Sequence, residues 1–229
     1  MSYDAKKEWT QEYLNQSQMA FPAEYLIKIF RGSYPRLNLD KQSFVDKKLC
    51  EVGIGDGRNV ALYNKCGFIV HGVEITQEII DKTIQNLKQH DLQAELKVGS
   101  NSEIPYPNCY FDYLVSWNAC YYVGSQMNFE SNVREYARVL KDDGYLILSI
   151  PTKNCYLYQG SETIKNGFQL IKNDVFNIRN GEILRMFQNE SDIEDAFSKY
   201  FENFTFGYIG DDCFGLENHW HLAVARKKH

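Results

Sequence analysis

No stretch of this 229-residue chain approaches eighteen consecutive apolar residues, so no membrane-spanning helix is expected. The amino terminus, from Met1 to Trp9, lacks the apolar h-region of a secretory signal. Six cysteines (Cys50, Cys66, Cys109, Cys120, Cys155 and Cys213) are scattered without a Cys-x-x-Cys pair or a His-rich partner segment. Neither a zinc site nor a dense disulfide framework fits that spacing, and no metal is expected. The expected state is reduced thiols in a cytoplasm, with Cys50 and Cys66 as small core residues. Positive charge is also short: 25 Lys and Arg against 30 Asp and Glu give a formal net charge of −5. A surface of that sign argues against general affinity for nucleic acid, which rests on neutralising phosphates. No Gly-Lys-Ser/Thr is present, which excludes a P-loop. Hydrophobic content of 44% and charged content of 24% suit a soluble globular protein, with room in one domain for a core and an appended lid.

Against these absences stands one dense signal. Leu49-Cys50-Glu51-Val52-Gly53-Ile54-Gly55-Asp56-Gly57-Arg58-Asn59 reads as a strand, a glycine-rich turn and the start of a helix. A second apolar strand follows and ends in Val73-Glu74-Ile75, which places a carboxylate about twenty residues further on. That pattern lets backbone approach a nucleoside-bearing ligand closely, with an acid positioned for ribose hydroxyls. A dinucleotide fingerprint starting at Gly53 needs a third glycine at position 58, where Arg58 stands. Glu51, just before the turn, would repel a pyrophosphate and suits a ligand with an ammonium group and no phosphates. S-adenosylmethionine is such a ligand.

From about Lys48 to Pro151 the chain resembles the class I S-adenosylmethionine-dependent methyltransferases. The resemblance implies that Glu51, Gly53, Ile54, Gly55 and Asn59 hold the methionine part of the cofactor, and Glu74 with Ile75 the ribose. Lys97-Val98-Gly99-Ser100-Asn101-Ser102 is similar to the third-strand segment that flanks adenine. The family usually has an acid where Ser100 stands, so Asn101 and Ser102 are the expected substitutes. Phe111 to Asn118 resembles the fourth strand, placing Trp117 and Asn118 at the methyl-transfer point.

Alternating strand and helix patterns predict a parallel sheet covered on both faces. Strands are expected at Lys48–Ile54, Phe68–Glu74, Gln93–Val98, Tyr113–Trp117 and Gly144–Ile150. Helices are expected at about Arg58–Cys66, Gln77–His90 and Asn128–Leu140. The fold class is therefore α/β: a three-layer, Rossmann-like, seven-stranded, mostly parallel sheet with an antiparallel edge strand. The single domain 1–229 divides into N-terminal helices (1–46), a cofactor half (47–151), a lid insertion (152–190) and a C-terminal helix with strands (191–229). Within the insertion, Asn180-Gly181 between Val175–Arg179 and Glu182–Phe187 predicts a type I′ hairpin. Ser191-Asp192-Ile193-Glu194 predicts a capping box opening a helix to Tyr200.

Methyl transfer needs an aligned, desolvated acceptor and no obligatory catalytic motif. His219 and His221, on one face of a predicted strand, are the weak candidates for a general base, against a plain reading as surface histidines. No Asn/Asp-Pro-Pro-Tyr/Phe follows the fourth strand, and Cys120 lacks a preceding proline, so neither amino-group methylation of adenine or glutamine nor base-carbon methylation is indicated. A methyltransferase for a small-molecule acceptor is the leading expectation. The alternatives are an RNA or protein methyltransferase and a non-catalytic S-adenosylmethionine-binding subunit. The N-terminal helices are read first as packing on the sheet edge, with closure of Trp9 or Tyr13 over the site as the second reading, and the 152–190 insertion is expected to cover the acceptor side.

Overall fold

The computed structural model describes residues 4–16 and 18–229. Two helices, α1 (Ala5–Asn15) and α2 (Glu24–Arg31), lead into β1 (Lys48–Val52), α3 (Val60–Cys66), β2 (Ile69–Glu74), α4 (Gln77–Gln89) and β3 (Glu95–Val98). β4 (Phe111–Ser116), α5 (Phe129–Val139) and β5 (Leu140–Pro151) complete the cofactor half. The insertion carries the short strands β6 (Glu162–Lys165), β7 (Phe168–Leu170) and β8 (Ile183–Arg185). α6 (Glu190–Phe197) and the long hairpin β9 (Phe201–Cys213) and β10 (Leu216–Lys227) close the chain.

Seven strands form the main sheet in the order β3-β2-β1-β4-β5-β10-β9. β1 pairs in parallel with both β2 and β4, while β10 runs antiparallel to β5 and to β9. The expected antiparallel addition is thus a hairpin, with β10 inside and β9 at the edge. Between β3 and β4 the chain crosses the sheet, so the winding reverses between β1 and β4. Ligand crevices form at such a reversal, outside the carboxyl ends of the strands.

Side chains alternate between the two faces with the two-residue period of a strand. Cys50, Val52 and Leu114 pack with Tyr136, Phe187 and Phe197 on one face. Leu49, Tyr113 and Val115 pack with Leu26, Phe30, Phe44 and Tyr63 on the other. Cys50 and Cys66 are buried in these cores with free thiols, as small apolar residues would be. No helix among the described residues is long and apolar enough to cross a membrane.

Two expectations fail for physical reasons. Val175–Arg179 is not a hairpin strand: β8 pairs with β7 instead. Asp174 accepts the backbone N–H groups of Ile178 and Arg179, and Asn180 Oδ1 accepts that of Asp174, which closes 174–180 into a compact loop. Gly181 has φ +99° but Asn180 does not share the positive φ that a type I′ turn needs at both positions. The helix after the insertion is capped two residues earlier than Ser191 would cap it: Asn189 accepts the N–H of Asp192. Within α5, Glu135 and Arg138 clamp the segment before β4. Glu135 accepts from Ile104 N at 3.0 Å, and Arg138 donates to the carbonyls of Ile104 and Tyr106.

Candidate cofactor and acceptor site

The turn after β1 is a glycine loop by necessity. Gly53 and Gly55 sit at φ +75° and +58°, in the left-handed region that favours glycine. A Cβ on Gly53 would lie 2.8 Å from that of Ala119, and one on Gly55 would run into the Tyr13 hydroxyl. α4 fixes the loop from behind. Thr83 Oγ1 donates to the Gly55 carbonyl at 2.5 Å, and Asn86 Nδ2 donates to the Asp56 carbonyl at 3.1 Å. Asp56 itself accepts from Ala20 N at 2.7 Å, tying the segment before α2 to the loop.

Two carboxylates stand beside this loop inside the protein. Glu51, only 1% exposed, accepts from Asn59 Nδ2 at 2.8 Å through Oε1. Its Oε2 is buried without a hydrogen bond of good geometry, and the Tyr63 hydroxyl, also buried, lies close enough to bear on the carboxylate. Burial pushes the Glu51 carboxyl up to about 8, against the opposing hydrogen bond from Asn59. Glu74, at the end of β2, accepts from its neighbour Ile75 N at 2.6 Å, and burial pushes it up to about 7. A buried acid whose oxygen lacks a well-formed hydrogen bond is costly unless a ligand satisfies it.

The ends of β3 and β4 supply the facing wall. Asn101 donates to the Ala119 carbonyl at 2.8 Å and accepts from the Tyr136 hydroxyl at 2.6 Å, bridging the two strand ends. Asn118 adopts φ +56° and is held by Ser149, which donates to its Oδ1 at 2.6 Å. Trp117 is largely buried, and Ser100 and Ser102 lie with hydroxyl oxygens 3.4 Å apart.

These elements bound a cavity of about 650 Å³. All of the cofactor contacts expected from sequence face it except Gly55, which Tyr13 covers. Asn59 serves two neighbours at once, because its Oδ1 also accepts from Ala23 N. His219 and His221 are not on the cavity wall. His219 instead bonds to Tyr208 and, through Nε2, to Glu217 at 2.7 Å; His221 lies 3.8 Å from Glu190. Both rings lie near Tyr208, so the expectation that they share a face holds.

Both α1 and the insertion reach the cavity. Trp9 stacks on Tyr13 at 5.9 Å and meets Tyr122 edge-on at 6.1 Å. Arg179 lies over the Trp9 ring at 5.0 Å and donates from Nε to the Tyr122 hydroxyl at 2.9 Å. The insertion is rich in aromatic residues, yet these rings are spent away from the cavity. Tyr158, Phe168 and Phe187 are buried, Phe176 is exposed, and Arg179 and Glu182 are the insertion residues on the cavity wall. Asp56, Tyr122, Arg179 and Glu182 were not singled out from the sequence. For Asp56 a signal existed, its place between two loop glycines; for the other three no local pattern marks them.

Residues 50–148 match the family model described as a methyltransferase domain. No curated protein matches the chain by sequence. Among solved structures, a methyltransferase from Methanosarcina mazei shares 20% identity at a TM-score of 0.67, covering 86% of this chain and 98% of its own. A protein from Thermotoga maritima, named as a possible histamine N-methyltransferase, shares 18% identity at 0.60, covering 98% and 99%. One from Mesorhizobium loti shares 13% at 0.58, covering 82% and 93%. These likenesses show the fold. Residues 50–148, the segment matched as a methyltransferase domain, lie at the centre of this fold. The methyltransferase-domain match implies S-adenosylmethionine as the cofactor, and the residues present fit that group. The buried Oε2 of Glu51 suits an ammonium, the Glu74 carboxylate suits a pair of hydroxyls, and the glycine turn leaves room for close backbone approach.

Proposed function

We propose that this chain is a class I S-adenosylmethionine-dependent methyltransferase that acts on a small molecule. The observation that carries the reading is the enclosure of the cavity by α1 on one side and the 174–182 loop on the other, joined through Trp9, Tyr122 and Arg179. Its volume of about 650 Å³ falls within the range of small-ligand sites, roughly 300–1,000 Å³. A polymer would need an open groove on that side, and the net charge of −5 gives no broad surface for RNA.

When bound, the cofactor supplies an electrophilic methyl group on sulfur. Glu51 would take its ammonium, oriented by Asn59; Glu74 would accept from the ribose hydroxyls; Gly53 to Gly55 would pass close to the methionine part. Ser100, Asn101 and Ser102 would border adenine, with Trp117 and Asn118 beside the transfer point. The described wall of the cavity carries no histidine, so the protein's share of the rate is alignment and exclusion of water rather than imidazole base catalysis.

The test is label transfer from methyl-labelled cofactor into a cell extract separated into small-metabolite, RNA and protein fractions. Label in the small-metabolite fraction is expected. Label confined to RNA or protein would overturn the reading, and label in none of them would favour a non-catalytic subunit.

A further inference from the structure

Resting on that reading, we infer that the acceptor carries an anionic, carboxylate-type group and that Arg179 is the residue that binds it. The Arg179 side chain is 13% exposed and its partner Asp174 is 0% exposed, at 3.2 Å. A loop that buries an ion pair sacrifices hydration of both groups, and replacing such pairs with apolar residues is often neutral or stabilising. Stability alone therefore does not account for it. The geometry of the loop does more than pair the charges. Asp174 takes the N–H groups of Ile178 and Arg179 as well as Nη1 of the guanidinium, so the loop backbone and the side chain are fixed by one carboxylate. Arg179 is on the cavity wall and Asp174 is not, so the cavity meets the positive end of the pair.

Glu51, Asp56, Arg58 and Glu74 stand on or beside the glycine loop, at the cofactor end, whereas Arg179 belongs to the insertion loop across the cavity. The bonds to Tyr122 and Asp174 use Nε and Nη1, and a guanidinium has five N–H donors, more than these two partners take up. Its planar fork matches a carboxylate better than an ammonium of lysine would. The Trp9 and Tyr122 rings beside it offer flat surfaces, which favours an acceptor whose anionic group sits on a planar frame. An alternative in which Arg179 only braces the lid against Tyr122 predicts no preference between anionic and cationic ligands.

The experiment uses the whole protein saturated with S-adenosylhomocysteine, with benzoate and benzylamine as probes. Binding is read by calorimetry and by the shift in melting temperature. Benzoate should bind and stabilise the wild-type protein, and benzylamine should not. Arg179→Lys should weaken benzoate by roughly ten-fold or more, the scale of a charged hydrogen bond. The paired variant Arg179→Met with Asp174→Asn, which leaves no buried charge unpaired, should abolish benzoate binding while keeping the cofactor product bound. Benzylamine binding better than benzoate would overturn the inference. So would benzoate affinity unchanged in the paired variant, or failure of benzoate to bind a wild-type protein that holds S-adenosylhomocysteine. Failure to bind S-adenosylhomocysteine at all would sink the cofactor assignment first, and this inference with it.

Discussion

The cofactor end of the cavity and the acceptor end are built differently. At the cofactor end, β1, β2, β3 and β4 of one sheet deliver their carboxyl termini to one crevice, and the glycine loop is pinned by α4. At the acceptor end, a wall is assembled from α1, the turn after β4 and a loop of the insertion, which meet through Trp9, Tyr122 and Arg179. The first is rigid because its neighbours are hydrogen-bonded strands. The second depends on side-chain contacts between elements far apart in sequence, of the kind that open locally at low cost. On the proposed function, the cofactor would be held by the sheet, and the acceptor by parts that can diverge without disturbing it.

The largest effect expected from breaking the cofactor end is at Glu51. Loss of one partner from a buried charge pair costs about 2–5 kcal/mol, so Glu51→Gln should weaken S-adenosylhomocysteine by roughly thirty- to several-thousand-fold in titration calorimetry. The same carboxyl gives a pH signature in the cofactor-free protein. Its position is raised from an ordinary 4.5 to about 8, so the folded chain keeps a proton that the unfolded chain has lost. Stability from this group is fully present below pH about 4.5 and is lost as pH rises towards 8. Melting curves of wild type against Glu51→Gln should diverge across that window, the wild type losing more as pH rises. A parallel pair of curves would show that the carboxyl is not perturbed.

Glu74→Ala should reduce cofactor affinity by roughly ten- to a hundred-fold, from about 1.5–3 kcal/mol for charged hydrogen bonds, with the melting temperature retained. At the acceptor end, Trp9→Ala removes a stacked ring and a cation–π contact worth about 1–3 kcal/mol together. Turnover should fall roughly ten-fold or more while cofactor affinity changes only a few-fold. Equal losses in both would mean that the two ends are not separable. The smallest effect belongs to His219→Ala, which lies off the cavity wall: turnover should stay within about two-fold, as for surface changes within about 0.5 kcal/mol. A collapse of turnover there would restore the histidine as a base.

How much of this was visible in the sequence follows the same division. Gly53, Gly55, Glu51 and Glu74 are legible because a strand, a tight turn and the next strand fix their spacing within some twenty-five residues. The seven-stranded sheet is legible for the same reason, since each strand–helix unit declares itself locally. Tyr122 and Arg179 are not legible: their roles exist only once Asp174 has closed the loop and α1 has packed across it. Asn180-Gly181 misled because turn chemistry was read without the buried carboxylate that captures the preceding amides. The aromatics of the insertion misled in a milder way. They announced an apolar mass, which the core absorbed, and said nothing of the charged residue that faces the cavity.

The central claim is that the buried Oε2 of Glu51 is the receptor for the ammonium of the cofactor. Calorimetry of S-adenosylhomocysteine against its des-amino analogue, on wild type and Glu51→Gln, tests it most directly. The account predicts that wild type prefers the amino compound by roughly ten-fold or more and that Glu51→Gln loses the preference. Equal affinity of the two compounds for the wild-type protein would contradict it.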